Sequence, residues 1–258
     1  FRDAHNLSAV NSINWARVMA QIVYYFAAAV ALGAPDVAVT FSVPTGNFGN
    51  VFAGFCARQM GLPVEKFVVG SNSNDILTRF FETGVMAADG VVPTLSPSMD
   101  IQVSSNFERL VFHYLGNDGP AVGKLMDEFR ASGRMDMPQG AYGAMRELFE
   151  GHRYDDQATL AVMRAMNAAA GERLDPHSAI GIAAGIKGHA NKASPLIALA
   201  TAHPAKFPDA VEKATGTRPP LPPHMADLFS RPERFDVIAN DLAAVRDYVA
   251  AFAGRSRA

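Results

Sequence analysis

A strand that runs into a glycine-spaced loop and then a helix constrains this chain more than any other feature. Residues 37–43 read Val-Ala-Val-Thr-Phe-Ser-Val, and Pro44-Thr-Gly-Asn-Phe-Gly-Asn50 follows directly. The six residues before Pro44 are β-branched or apolar apart from Ser42, which is strand composition, and helical character resumes from Val51 to Met60. A loop between a strand end and a helix start is where α/β folds bind anions. Gly46 and Gly49 let the backbone come close to a phosphate, Asn50 suits a helix N-cap, and the first free N–H groups of the helix point at the bound oxygens. A plain strand-to-helix turn without a ligand fits the same residues equally well, because Gly-x-x-Gly alone is a weak signal.

With 258 residues, 49% of them hydrophobic, the chain has enough apolar material for one large α/β domain or two smaller ones. No stretch is long and apolar enough to span a bilayer, and Phe1 opens no signal-peptide pattern. The expectation is therefore a soluble, cytoplasmic protein with no membrane partner. A formal net charge of -2 without a basic stripe gives no reason to expect nucleic acid as a partner. The single cysteine, Cys56, allows neither an internal disulfide nor a cysteine metal cluster, and between Phe55 and Ala57 it reads as an inert buried thiol. The chain starts without methionine, and Phe1-Arg-Asp-Ala-His5 reads like the tail of a helix, so a fragment or proteolysed product is expected.

Further along, the periodicity predicts a long helix from Asn11 to Leu32 capped by Asn11 or Ser12, a strand Val37–Val43, a helix Val51–Met60 and a strand Val64–Val69. Strand, helix and strand at this spacing make a parallel crossover. From Asn74 to Phe149 the pattern shifts to helices and loops, the last helix running from Tyr142 to Phe149. Asp155–Ala170 and Ala179–Lys187 read as helices, the second with Asp175 as N-cap and Pro176 at its first position. A short strand Pro195–Ala200, a helix Pro208–Lys213, a proline-rich connector and a helix Leu242–Phe252 complete the chain.

Polar clusters fall at element ends. Asn11, Ser12 and Arg17 combine an amide, a hydroxyl and a guanidinium near a helix start, which makes either a cap with an exposed arginine or a second anion site. Asp175-Pro-His-Ser178 is explained by capping, with a catalytic His177 as the minority reading, and Thr201 at a strand end is ordinarily a turn residue. Scattered histidines build no hydrolytic triad and no metal site, and the loop lacks the third glycine of a dinucleotide fingerprint.

Taken together, Asn11-Ser-Ile-Asn-Trp15, Ser42-Val-Pro-Thr-Gly-Asn-Phe-Gly-Asn50, Leu95-Ser-Pro-Ser-Met-Asp-Ile101, Asp175-Pro-His-Ser-Ala179 and Thr201-Ala-His-Pro-Ala-Lys-Phe207 resemble the long bacterial and fungal form of threonine synthase. The resemblance implies an α/β fold with a mostly parallel sheet flanked by helices, the second type of pyridoxal-phosphate-dependent enzyme fold, here incomplete. It treats residues 1–258 as a C-terminal portion of the catalytic region that contains the cofactor-phosphate-binding large domain, with a mainly helical insertion near 74–150. Pyridoxal 5'-phosphate is the implied cofactor, its phosphate held by Gly46, Asn47, Phe48, Gly49 and Asn50 and its ring nitrogen faced by Thr201. A hydroxyl at that nitrogen makes the ring a tempered electron sink. Asn11, Ser12 and Arg17 are similar to the family's site for the substrate phosphate.

The implied reaction converts O-phospho-L-homoserine and water to L-threonine and phosphate. One departure is large: the family's Schiff-base lysine lies in a Phe-Lys-Asp type motif that this sequence lacks. The implied partner is therefore a missing N-terminal part of the same enzyme, and the chain alone is expected to be inactive. The rival expectations are a pyridoxal-phosphate-dependent serine or threonine dehydratase, which shares only the glycine loop, and a non-catalytic phosphate-binding scaffold.

Overall fold

The computed structural model describes residues 1–255. They form two compact units, one of residues 1–10 with those from 221 onward, the other of residues 11–220. The smaller unit opens with α1 (Arg2–His5), in line with the helical reading of the first residues.

The larger unit begins with α2 (Trp15–Ala31), later than the sequence predicts. Asn11 spends its side chain on an Asx turn, accepting from the Ile13 amide at 3.1 Å, and the cap falls to Asn14, which accepts from Ala16 N. Next come β1 (Val39–Pro44), α3 (Gly49–Gln59) and β2 (Val64–Ser71). Helix α3 starts two residues before Val51, with Phe48 at the N-cap at φ 60°, so Asn50 lies inside the first turn and is not the cap.

Then follow α4 (Ile76–Thr83), β3 (Val85–Ala87), α5 (Phe107–Tyr114), α6 (Gly119–Ser132), β4 (Arg134–Asp136), α7 (Gln139–Leu148) and β5 (Phe149–Arg153). The sequence reading ends a helix at Phe149, whereas the chain turns there into a strand. Only Phe149 in Phe-Glu-Gly-His-Arg is strongly apolar, so β5 is specified by pairing with β2 and carries little strand signal of its own. Helices α8 (Asp156–Ala170) and α9 (Pro176–Gly188) are capped by Asp155 and by the expected Asp175, and β6 (Leu196–Ala198) and α10 (Pro208–Thr215) complete this unit. In the smaller unit α11 (Leu242–Arg255) places the Arg246 guanidinium 4.9 Å from the centre of the Phe1 ring. Among the described residues no helix is long and apolar enough to cross a membrane.

The main sheet is wholly parallel in the order β5-β2-β1-β6, and β3 pairs antiparallel with β4 in a separate ribbon. Both faces of β1 are buried, as a central parallel strand requires. On one face, Phe41, Phe67 and Phe149 stand in register across three strands. The Tyr25 ring meets Phe41 edge-on at 4.7 Å, and Gly54 of α3 sits where any Cβ would come within 2.6 Å of both Phe67 and Tyr25.

On the other face α9 lies close, since a Cβ on Gly181 or Gly185 would meet Pro44 or Ser42 at 2.8 Å. Gly181 over Pro44 and Gly185 over Ser42 mean that α9 runs antiparallel to β1. Its N-terminus, Asp175 to Ser178, therefore overhangs the strand end where the glycine loop begins. The pairing of Ser42 with Ala198 brings Thr201 to the same edge of the sheet.

Tyr24 and Tyr25 tie α2 to Asn50, both hydroxyls donating to its Oδ1 at 2.5 and 3.0 Å. Burial pushes the Tyr24 phenol up to about 12 and that of fully buried Tyr25 well above its usual 10. The folded state thus keeps protons that the unfolded chain releases at 10, so this contribution is complete below 10 and is lost as pH climbs toward about 12. Urea midpoints are expected to hold level up to that lower value and fall steadily above it. A midpoint flat across the whole interval contradicts the assignment.

Candidate functional site

A cleft of about 200 Å³ opens at the C-terminal edge of the parallel sheet, the place where open α/β sheets bind ligands. Its floor is the glycine loop, from which Thr45, Gly46, Asn47, Gly49 and Asn50 all contribute. Thr45 is anchored through its amide to Gly70 O at 3.1 Å, and its Oγ1 accepts from Phe48 N at 3.1 Å. The first intrahelical bond of α3 is Phe52 N to Phe48 O, so the amides of Gly49, Asn50 and Val51 stand ahead of it as helix-start donors.

Neighbouring segments press on the loop from behind. A Cβ on Gly46 would lie 3.0 Å from the Ile101 side chain and 3.1 Å from Met99 Cα, and one on Gly49 would lie 3.2 Å from Asn106 Nδ2. Asn106 donates to the carbonyls of Ser12 at 2.9 Å and Asn47 at 3.1 Å, while Ser104 Oγ donates to Gly46 O at 2.6 Å. A polar hub fixes the covering segment that carries Ser98 and Met99: Asn72 and Asn74 donate to Asp100 Oδ1 at 2.8 and 2.9 Å. These contacts hold a bare backbone surface with its amides toward the cleft.

The walls carry the charge. Ser12 comes from the turn before α2 and Arg17 from its first turn, and Thr201, Lys206 and Phe207 come from the turn after β6. Among the described residues neither an aspartate nor a glutamate lines the cleft, so Arg17 and Lys206 face backbone amides, hydroxyls, side-chain amides and one histidine. Such a lining favours an anion, and the loop and Arg17 are its two candidate positions.

Of the residues singled out from sequence, Gly46, Asn47, Gly49, Asn50, Ser12, Arg17 and Thr201 meet at this cleft. Asn11 does not line it, its side chain being occupied in the Asx turn. Phe48 sends its fully buried ring into the core, edge-on to Phe107 at 5.1 Å, and its amide is engaged by Thr45. Sequence reasoning missed Asn106, whose only signal was an ordinary helix-start asparagine. It also favoured a capping role for His177, although His177 and Lys206 both line the cleft.

At the back lies a small network. The buried Asp175 carboxylate accepts from the His177 amide at 2.9 Å, from His177 Nδ1 at 2.8 Å and from the Ser178 hydroxyl, and Ser178 Oγ accepts from Thr201 N at 3.1 Å. Burial alone would raise the Asp175 carboxyl, but hydrogen bonds from His177 and Ser178 outweigh it and hold it below its usual value. Two buried side-chain atoms here have no hydrogen-bond partner: Nε2 of His177 on the cleft, and Oδ1 of Asn106 behind the loop. An unpaired buried polar atom is costly, by about 1–3 kcal/mol, and of the two only the His177 atom belongs to a residue that lines the cleft.

Residues 178–249 match the family model described as "Threonine synthase, C-terminal". The whole chain aligns with threonine synthase of Pseudomonas aeruginosa at 50% identity over 258 residues. The chain belongs to the threonine synthase family. It spans about half the length of the curated relatives it matches: 55% of the Pseudomonas aeruginosa threonine synthase and 53% of that of Corynebacterium glutamicum, to which it is 37% identical. Among solved structures, a PLP-bound threonine synthase from Brucella melitensis superposes with a TM-score of 0.94 at 49% identity, covering 98% of this chain and 54% of that one. The threonine synthase of Escherichia coli gives 0.74 at 31% identity over 97% of this chain and 53% of its own. The α/β fold with its parallel sheet is thus the threonine synthase fold over the part that this chain spans.

Proposed function

We propose that the cleft binds pyridoxal 5'-phosphate and O-phospho-L-homoserine, and that the full-length protein makes L-threonine and phosphate from that substrate and water in the cytoplasm. One observation carries the reading: the glycine loop, the Ser12–Arg17 pair and Thr201, far apart in sequence, line a single cleft with cations and no carboxylate. The cofactor fits the residues present. A phosphate finds the helix-start amides and the glycine surface, and the unpaired His177 Nε2 on the cleft supports a polar ligand there. When bound, the cofactor supplies an electron sink for the carbanion formed beside the substrate amino group.

The chain's own residues then divide the remaining work. The loop amides anchor the cofactor phosphate, and the Thr201 hydroxyl meets the ring nitrogen with a hydrogen bond and no full charge. Ser12 and Arg17 hold the substrate phosphate, so that the group leaving from the γ carbon departs into a cationic pocket. No Schiff-base role falls to Lys206, the lysine that lines the cleft, because it is exposed and sits outside any Phe-Lys-Asp motif. The present stretch alone therefore releases no threonine.

The test uses the protein as its source makes it, assayed with O-phospho-L-homoserine for phosphate and threonine and with L-threonine for deamination. Phosphate and threonine in equal amounts are expected, and deamination without them overturns the reading. Arg17→Met is expected to raise KM for the phosphorylated substrate roughly ten- to a hundredfold, the worth of one charge-assisted hydrogen bond, with little change in PLP affinity. An unchanged KM removes Arg17 from the site.

A further inference from the structure

Asn106 stands where α5 begins, a position at which an asparagine ordinarily caps its own helix, yet its side chain makes no such bond. The residue is fully buried and its amide is turned the other way. Nδ2 donates to Ser12 O at 2.9 Å and to Asn47 O at 3.1 Å, while Oδ1, the atom that would cap, has no partner among the described residues. A forgone cap and a buried unpaired acceptor both lower stability. The orientation of this amide therefore serves the two carbonyls it holds.

Those carbonyls belong to opposite sides of the cleft, Asn47 to the glycine loop and Ser12 to the turn before α2. Neighbours of Asn106 add ties on each side. Its backbone amide also donates to Asn47 O at 3.1 Å, and on the other side Arg109 Nη2 donates to Ile13 O at 2.8 Å, with the guanidinium carbon 5.7 Å from the centre of a Trp15 ring. Phe107 meets Phe48 edge-on at 5.1 Å and Phe80 at 4.7 Å, which anchors the start of α5 in the core. Tyr24 and Tyr25 tie α2 to Asn50 further along the helix, whereas at its front, beside Ser12, the tie is Asn106.

We infer that Asn106 is a positioning residue that sets the spacing between the two anion positions of the cleft, with Arg109 supporting it on the Ser12 side. The role rests on the two-phosphate reading of the cleft and adds what holds the two positions in register. Each phosphate has donors of its own, the loop amides for one and Ser12 with Arg17 for the other, so the separate affinities depend little on the tie. The relative placement of the two ligands depends on it directly. A shift of about 1 Å between reacting groups lowers a rate about a hundredfold while every donor stays in place.

The test uses the protein as its source makes it. In Asn106→Ala, kcat for phosphate release from O-phospho-L-homoserine is expected to fall about ten- to a hundredfold, with KM and PLP affinity each within about threefold of wild type. Arg109→Met, at a half-buried position where folding is less at risk, is expected to show the same split with a loss of about three- to tenfold in kcat. Amide hydrogen exchange without substrate reads the tie apart from catalysis. Peptides over residues 11–16 and 44–50 are expected to exchange about tenfold faster together in Asn106→Ala, the rest of the chain being unchanged. Losses confined to KM or to PLP affinity, with kcat kept, overturn the spacing role and make Asn106 part of one site. Faster exchange in one peptide alone, or in neither, overturns it as well. A wild-type protein that releases no phosphate from this substrate overturns the reading of the cleft, and exchange still decides whether Asn106 ties its two sides.

Discussion

Gly49→Val is expected to lower PLP affinity by about ten- to a hundredfold and to cost about 1–3 kcal/mol of stability, the usual price of overpacking. The reason lies behind the loop as much as in the ligand. A Cβ at Gly49 meets Asn106 Nδ2 at 3.2 Å and Ser12 O at 3.4 Å, so a branched side chain must push apart the two segments that Asn106 ties together. The loop amides and Ser12 then move together, and both anion positions suffer. Gly54→Ala is the matched control. Its Cβ would come within 2.6 Å of two buried rings, so it is expected to lower stability comparably while PLP affinity of the folded protein is retained. Equilibrium unfolding and PLP fluorescence quenching on both variants separate the two effects. Equal losses of PLP affinity in the two would mean that Gly49 matters only for stability.

Phe48→Ala is expected to cost about 3–5 kcal/mol and to loosen the cofactor loop at the same time. Phe48 is fully buried, with its ring 5.1 Å from Phe107 and 6.2 Å from Phe149, and its backbone is held at φ 60°, a region that side chains other than glycine rarely adopt. Packing of the ring sustains that conformation, which in turn aims the helix-start amides at the cleft. Removing the ring therefore takes away both core burial and the constraint on the loop. Phe48→Leu, which keeps most of the apolar volume, is expected to recover a large share of both stability and PLP affinity. A Phe48→Ala protein that unfolds at the wild-type urea concentration contradicts the anchoring role.

Local chemistry made much of this legible in the sequence. The strand–loop–helix unit, the Asp175 cap and the glycine-spaced loop rest on residues near one another, where composition carries the information. Strand β5 and the β3–β4 ribbon were not legible, because their residues have weak strand propensity and take their form from pairing partners far along the chain. The early start of α3 was hidden for a related reason: only tertiary packing makes phenylalanine acceptable at a positive φ. Within the site, Ser12, Arg17 and Thr201 were readable from motifs. Asn106 was not, and His177 stood out only as a minority reading beside a helix cap, since an unsatisfied buried atom shows itself only once the surrounding hydrogen bonds are known.

The central claim is that the loop from Thr45 to Asn50 holds a cofactor phosphate while Thr201 meets the ring nitrogen. A crystal structure of the protein soaked with pyridoxal 5'-phosphate tests it most directly. The account predicts phosphate density within hydrogen-bond reach of the Gly49 and Asn50 amides, and the pyridine nitrogen facing the Thr201 hydroxyl. Phosphate density elsewhere, with this loop bare, would contradict it.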